Sequence, residues 1–157
     1  MRIGSKRKSE SWLMLALATL SCASFCYAQS PSGCRNSTVE DAWGPTVASE
    51  ARSFLGRLQG IIESGDKKQF ASLIHYPLRV FDGDRKIEIT SRTDFAKKYS
   101  SIITSDVRHA ILGQSADCLF GNAQGMMIGS GQVWFLPDSS GKMKIITINK
   151  TAPKVDE

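Results

Sequence analysis

The sequence lacks an apolar run long enough to anchor it in a membrane. Its N-terminal apolar stretch, Trp12–Leu20, has nine residues before Ser21, whereas a spanning helix needs roughly 18 or more. Four basic residues precede the stretch and small residues follow it up to Ala28. This order is typical of a cleaved secretory signal over residues 1–28, so we expect export to the periplasm or medium and no membrane anchor after cleavage. An uncleaved anchor and a lipid on Cys22 are the alternatives.

The sequence also lacks basic residues interleaved with aromatic ones. The whole chain carries a formal charge of +5 and has a pI of about 9.1. Removal of residues 1–28 takes away four basic residues and one acidic residue, which leaves +2. The adjacent pairs Lys67-Lys68 and Lys97-Lys98 are typical of solvated helix faces. We therefore expect no nucleic-acid partner.

Histidine and cysteine are scarce. The two histidines, His75 and His109, do not stand with other ligands at metal-binding spacing, so we expect no metal and no cofactor. After loss of the signal two cysteines are left, and an even pair in an exported chain predicts a disulfide between Cys34 and Cys118. Closing that loop of 84 residues contributes roughly 4 kcal/mol in the chain-entropy model. Two unrelated buried thiols are the alternative.

Apolar residues at helical spacing dominate the first half of the mature chain. Residues 29–44 have no apolar period and are expected to form an extended arm held by Cys34. Pro45 suits a first helical turn, and the apolar residues from Val47 to Ile62 predict a long amphipathic helix. Asp66 is placed to cap a second, shorter helix. The two helices are expected to form a helical hairpin.

The apolar period then changes from about 3.6 to 2. Two alternating runs on either side of Asp82-Gly83-Asp84 predict a β-hairpin. Ser91 is expected to cap a third helix, and Ser105 or Asp106 to begin a fourth. Four further strands are predicted at residues 118–120, 126–128, 132–136 and 143–148.

This order of elements predicts an α+β fold in which N-terminal helices pack into a strongly curved antiparallel sheet. The predicted domain covers residues 45–149 and is followed by a loose tail over residues 150–157. The chain shows no internal repeat and no second domain.

Three stretches carry a resemblance to a known family. They are residues 73–80 (LIHYPLRV), residues 87–99 (IEITSRTDFAKKY) and residues 125–134 (GMMIGSGQVW). In these stretches and in element order, residues 47–149 resemble the nuclear transport factor 2-like superfamily, and small exported bacterial members above all. The resemblance implies a cone made by helices and a bent sheet. Members of this superfamily include enzymes, transport factors and binding modules, so the resemblance implies no single activity.

The most polar cluster of the chain lies at a predicted helix-to-strand junction. His75 could act as a base, Tyr76 as a hydrogen-bond donor and Arg79 as the anchor for a carboxylate. The alternative is structural, with His75 on a backbone carbonyl, Tyr76 packed under a proline and Arg79 paired with an acid. On a strand, Arg79 shares its side with Phe81.

Two aromatic residues are candidates for contact with a ligand or partner. Tyr99 follows Asp94 by five residues, so the two cannot share one side of a helix, and Asp94 is expected to serve as a helix-start residue. Trp134 could line a cavity mouth or a partner surface. The alternative, which we favour, places Trp134 in the core.

These observations lead to two functional hypotheses. The first is an exported small binding domain that takes a protein or small-molecule ligand, in an inhibitor, immunity or ligand-binding role. The alternative is a small-pocket enzyme of isomerase, cyclase or hydrolase type that uses polar residues inside the cone. The catalytic acid and donor of enzymatic relatives such as ketosteroid isomerase have no matching positions in this sequence.

The signal sequence predicts that the mature protein begins at Gln29, because cleavage is expected after Ala28. N-terminal sequencing of protein isolated from the envelope fraction checks this. Recovery of chains that still begin with Met1 in that fraction would contradict it.

The cysteine count predicts one bond between Cys34 and Cys118. Mass measurement without reductant should find two hydrogens missing, and the folded protein should take up no alkylating reagent. Reduction in denaturant should then expose two thiols. Two alkylated cysteines in folded, unreduced protein would contradict the pairing.

Overall fold

The structure is a computed structural model and describes residues 38–152. This part of the chain has four α-helices, one 3₁₀ turn and six strands. The helices are α1 Val39–Ser64, α2 Lys67–Ser72, α3 Arg92–Ile102 and α4 Ser105–Gly113, and the 3₁₀ turn is Ala116–Cys118. The strands are β1 Ile74–Asp82, β2 Arg85–Ile89, β3 Phe120–Asn122, β4 Gly125–Ile128, β5 Val133–Pro137 and β6 Met143–Asn149. The α+β class is confirmed.

Helix α1 contains a kink at Gly44, whose φ of 81° and ψ of 167° are not helical. Glycine allows this positive φ, and Pro45 restarts the helix with a φ that suits a first turn. The helical turn ahead of the kink means that the expected extended arm is wrong for residues 39–43. The apolar period does not reveal this turn, because one turn is too short to show a period. Residues 29–37 of the expected arm lie outside the described residues.

One face of α1 forms the centre of the core. The ring of Phe54 stacks on the ring of Phe135 in β5, with a centroid distance of 4.8 Å. Leu58 is fully buried. Phe54, Leu58, Ile61 and Val133 are all buried in one cluster, which agrees with the amphipathic helix that the sequence predicts. The remaining buried residues of α1 are Val39, Ala48, Ala51, Leu55 and Ile62.

Two of the three shorter helices begin at the capping residues that the sequence indicates. Asp66 Oδ1 accepts a hydrogen bond from Gln69 N at 2.9 Å at the start of α2. Ser91 Oγ accepts one from Asp94 N at the start of α3, which confirms Asp94 as a helix-start residue. Thr104, one residue before the predicted start, caps α4. Each cap satisfies an amide that the helix itself leaves without a partner.

The six strands form one open sheet in the order β2-β1-β6-β5-β4-β3. All neighbouring strands are antiparallel except β1 and β6, which run parallel. The expectation of a wholly antiparallel sheet is therefore wrong. The chain crosses to the far edge through α3 and α4, and the meander from β3 to β6 then returns to the centre beside β1. A pattern of single strands cannot show the direction in which the last strand arrives.

The chain remains attached to the sheet just beyond β6. Lys150 N donates to Phe81 O at 2.9 Å, and Thr104 Oγ1 donates to Lys150 O at 2.9 Å. The Lys150 ammonium also forms an ion pair with Asp82 at 2.7 Å. The expected loose tail over residues 150–157 is wrong at Lys150. Residues 153–157 lie outside the described part of the chain.

The predicted signal and Cys34 also lie outside the described residues, so export and the disulfide stay predictions. From Thr38 to Ala152, no helix is long and apolar enough to cross a bilayer.

The packing of α1 predicts a large cost for Leu58→Ala. Removal of a fully buried leucine side chain should lower the free energy of unfolding by about 2–5 kcal/mol. The matched control is Lys97→Ala, an exposed helix position where the change should stay within ~0.5 kcal/mol. Lys67 is a poorer control because its ammonium lies 5.2 Å from the centre of the Tyr99 ring. Urea melts of both variants decide the matter, and an equal loss in the two would show that α1 is not central to the core.

Candidate functional site

The polar cluster on β1 is divided between the two faces of the sheet. Tyr76 packs against the core, and its hydroxyl donates to Ala71 O at 3.2 Å. His75 and Arg79 are exposed, as alternation along a strand requires for residues on the other side of Tyr76. The structure therefore does not bring His75, Tyr76 and Arg79 together around one point. Burial raises the pKa of the Tyr76 hydroxyl, and the positive charge of Arg92 partly offsets this.

Tyr99 lies in an aromatic cluster beneath α2 and α3. Its ring meets the rings of Phe70 and Phe95 edge-on, at centroid distances of 5.9 and 5.7 Å. The hydroxyl is buried and has no hydrogen-bond partner in residues 38–152. Burial raises the pKa of this hydroxyl, and the charge of Arg108 opposes the rise. Tyr99 is thus a core residue with an orphaned hydroxyl and does not lie on a surface that faces solvent.

Trp134 lies on the face of the sheet that bears Arg79, which we call the open face. Its neighbours Val133 and Phe135 occupy the core positions of β5 and are fully buried, so alternation turns Trp134 the other way. Trp134 is half-buried. The expectation that it belongs to the core is wrong, and the alternative at a cavity mouth agrees with its position.

Strand register places Thr147 directly between Arg79 and Trp134. Arg79 pairs with Thr147 across the parallel β1–β6 contact. Trp134 pairs with the same Thr147 across the antiparallel β5–β6 contact. Neighbouring strands are ~4.8 Å apart, so about 10 Å separates the backbones of Arg79 and Trp134.

A groove of about 400 Å³ lies over this row of three residues. Phe81, Trp134 and Ile146 supply apolar walls, and polar side chains complete the lining. The full lining is Arg79, Phe81, Gln124, Trp134, Ile146, Thr147 and Asn149. This lining contains one cationic side chain, Arg79, and no acidic side chain. A groove with apolar walls and a few polar groups is the usual form of a small-molecule site.

The acid that pairs with Arg79 across the β1–β2 contact is bound to a lysine. Glu88 pairs with Arg79 in strand register, but its carboxylate binds the Lys86 ammonium at 2.9 Å. That hydrogen bond, together with the charges of Lys86 and Arg79, holds the pKa of Glu88 below its usual range. Within residues 38–152, Arg79 therefore forms no ion pair within 4.0 Å and no hydrogen bond. Its guanidinium retains all of its donors for another molecule.

Two further polar groups of the groove bear on binding. Thr147 is only 7% exposed, yet its hydroxyl has no hydrogen-bond partner in the described part of the chain. The Asn149 amide nitrogen donates to Gly131 O, which orients the side chain and leaves Oδ1 as an acceptor. Sequence reasoning missed both residues. The only sequence feature that could have indicated them is that both are polar and stand at alternate positions of the apolar run in β6.

Residues 38–152 contain no candidate metal centre, because no three His, Cys, Asp or Glu side chains lie close enough together to hold a metal ion. His109 is exposed on α4.

Comparisons with known proteins identify no relative. No protein family, no curated protein and no solved structure matches this chain. The resemblance to nuclear transport factor 2-like proteins therefore rests on the quoted stretches and on element order, and the function has to be argued from the groove.

Proposed function

We propose that the protein is an exported binding module that holds a small ligand in the groove of the open face. The observation that carries this proposal is the arrangement around one groove of three side chains: an Arg79 guanidinium that forms no ion pair within 4.0 Å among residues 38–152, a Thr147 hydroxyl and a half-buried Trp134 ring. A volume of about 400 Å³ lies within the ~300–1,000 Å³ of small-molecule sites. Export is supported by the order of residues in the N-terminal 28.

The binding hypothesis has more support than the small-pocket enzyme. An enzyme that used His75 with Tyr76 would need both side chains at one substrate. They lie on opposite sides of β1, and the Tyr76 hydroxyl is already engaged with Ala71 O. Tyr99, the other candidate donor, is buried among aromatic rings.

A nuclear transport factor 2-like cone is our proposal for the finer fold. Its support is the order of elements, in which helices precede a hairpin, further helices and a four-stranded meander. The register shifts between Ile74 and Arg79 in the β1–β6 contact and between Trp134 and Phe135 in the β5–β6 contact. Such irregularities bend strands, as a cone requires.

The proposed disulfide is supported by the attachment of the N-terminal segment to β3. Thr38 Oγ1 donates to Gly121 O and accepts from Gly121 N at 2.9 Å. Trp43 Nε1 donates to Asn122 O at 2.8 Å. Thr38 follows Cys34 by four residues and Gly121 follows Cys118 by three, so the two contacting residues stand close in sequence to the proposed pair.

A ligand screen tests the proposed function. The thermal midpoint of the protein should rise with at least one compound of a metabolite library, since a ligand at 100 times its Kd stabilises by about 2.7 kcal/mol. Trp134→Ala should abolish that rise. The control is Trp43→Phe, which removes an indole outside the groove. If no compound acts, or if every active compound stabilises Trp134→Ala as well, the groove is not the binding site.

A further inference from the structure

The lining of the groove holds one charged side chain, the guanidinium of Arg79. Besides Glu88, the β1–β2 hairpin carries Asp82 and Asp84. The Asp82 carboxylate binds the Lys150 ammonium at 2.7 Å, and neither aspartate lines the groove. The Arg79 guanidinium is thus the one charge in the lining, beside the apolar side chains of Phe81, Trp134 and Ile146. A ligand that supplied a negative charge would complete the arrangement.

Thr147 is a second polar residue of the groove that suits a ligand with an acid group. The Thr147 side chain lines the groove and its hydroxyl forms no hydrogen bond within residues 38–152, so it is available to a ligand. Thr147 pairs with Arg79 in register, so its hydroxyl and the guanidinium can donate to one acceptor group. Arginine donors in a planar fork match the two oxygens of a carboxylate.

The apolar walls determine the rest of the ligand. The Trp134 ring lies on the far side of Thr147 from Arg79, about 10 Å away between backbones. That distance suits a planar apolar group that lies against the indole while an acid group extends toward Arg79. Inorganic phosphate would leave the Trp134, Phe81 and Ile146 surfaces exposed to water.

We propose that the groove binds a planar organic carboxylate, with its carboxylate on Arg79 and Thr147 and its apolar body against Trp134. This assignment rests on the proposed function of the groove. The other occupant to consider is a second copy of the chain. A two-fold contact centred on the groove would place two Arg79 side chains together, with no acidic residue in either lining.

Calorimetric titrations with three probes test the ligand class. The probes are 2-naphthoate, the neutral 2-naphthamide and inorganic phosphate. We expect saturable binding of 2-naphthoate to one site. The amide and phosphate should each bind at least tenfold more weakly, because the amide lacks the charge and phosphate lacks the apolar body.

Two variants identify the residue that recognises the acid. Arg79→Gln should weaken 2-naphthoate at least tenfold and change 2-naphthamide by less than twofold. A merely structural effect of the substitution would weaken both probes alike. Arg85→Gln, which removes an equal charge from an exposed position of β2 outside the lining, should change neither probe by more than twofold. Thr147→Val should weaken 2-naphthoate more than 2-naphthamide.

Every other result overturns the assignment. Equal binding of naphthoate and naphthamide, equal effects of Arg79→Gln and Arg85→Gln, phosphate as tight as naphthoate, or no saturable naphthoate binding would each reject the carboxylate class. The proposed function would survive such a result if the screen still found a ligand that depends on Trp134. A dimer that forms with rising concentration and is lost in Trp134→Ala would show instead that a second copy covers the groove, and it would reject both proposals.

Discussion

The burial of one sheet face against α1 is the constraint on which the other features depend. The Phe54 ring stacks on Phe135, and Leu58 lies fully buried in the same cluster. Side chains alternate between the faces of a strand, so the residues that complete this core leave their neighbours on the open face. Trp134 and Arg79 lie on the open face because their neighbours Phe135 and Val80 lie in the core.

Topology then brings the groove residues together. Strand β6 lies between β1 and β5, so Thr147 has Arg79 on one side and Trp134 on the other. The residues come from three separate strands of the chain, and the parallel β1–β6 contact is what joins them. The register shifts in the β1–β6 and β5–β6 contacts lie next to these three residues.

Electrostatics completes the site by dividing the charges of the hairpin. Lys86 takes the carboxylate of Glu88, and Lys150 takes that of Asp82. Exposed ion pairs such as these contribute little to stability, with a median of about 0–1 kcal/mol. They also bear on the groove, because they leave Arg79 with no ion pair within 4.0 Å among the described residues.

Local features of this protein were predictable from sequence, and long-range ones were not. Asp66 and Ser91 cap helices because a cap needs only an amide three residues away. The same locality explains the hairpin around Gly83. The kink at Gly44 was not predicted, because the single helical turn before it is too short to show an apolar period.

The amino-acid sequence by itself determined the α+β class, the helix that supplies the core and the strand on which Arg79 lies. Each of these follows from the period of apolar residues or from a cap. The tertiary structure alone decided that β6 runs parallel to β1 and that Trp134 lies outside the core. It also decided that Thr147 lies between Trp134 and Arg79. Pairing between strands far apart in sequence depends on how the whole chain packs, and no local pattern encodes it.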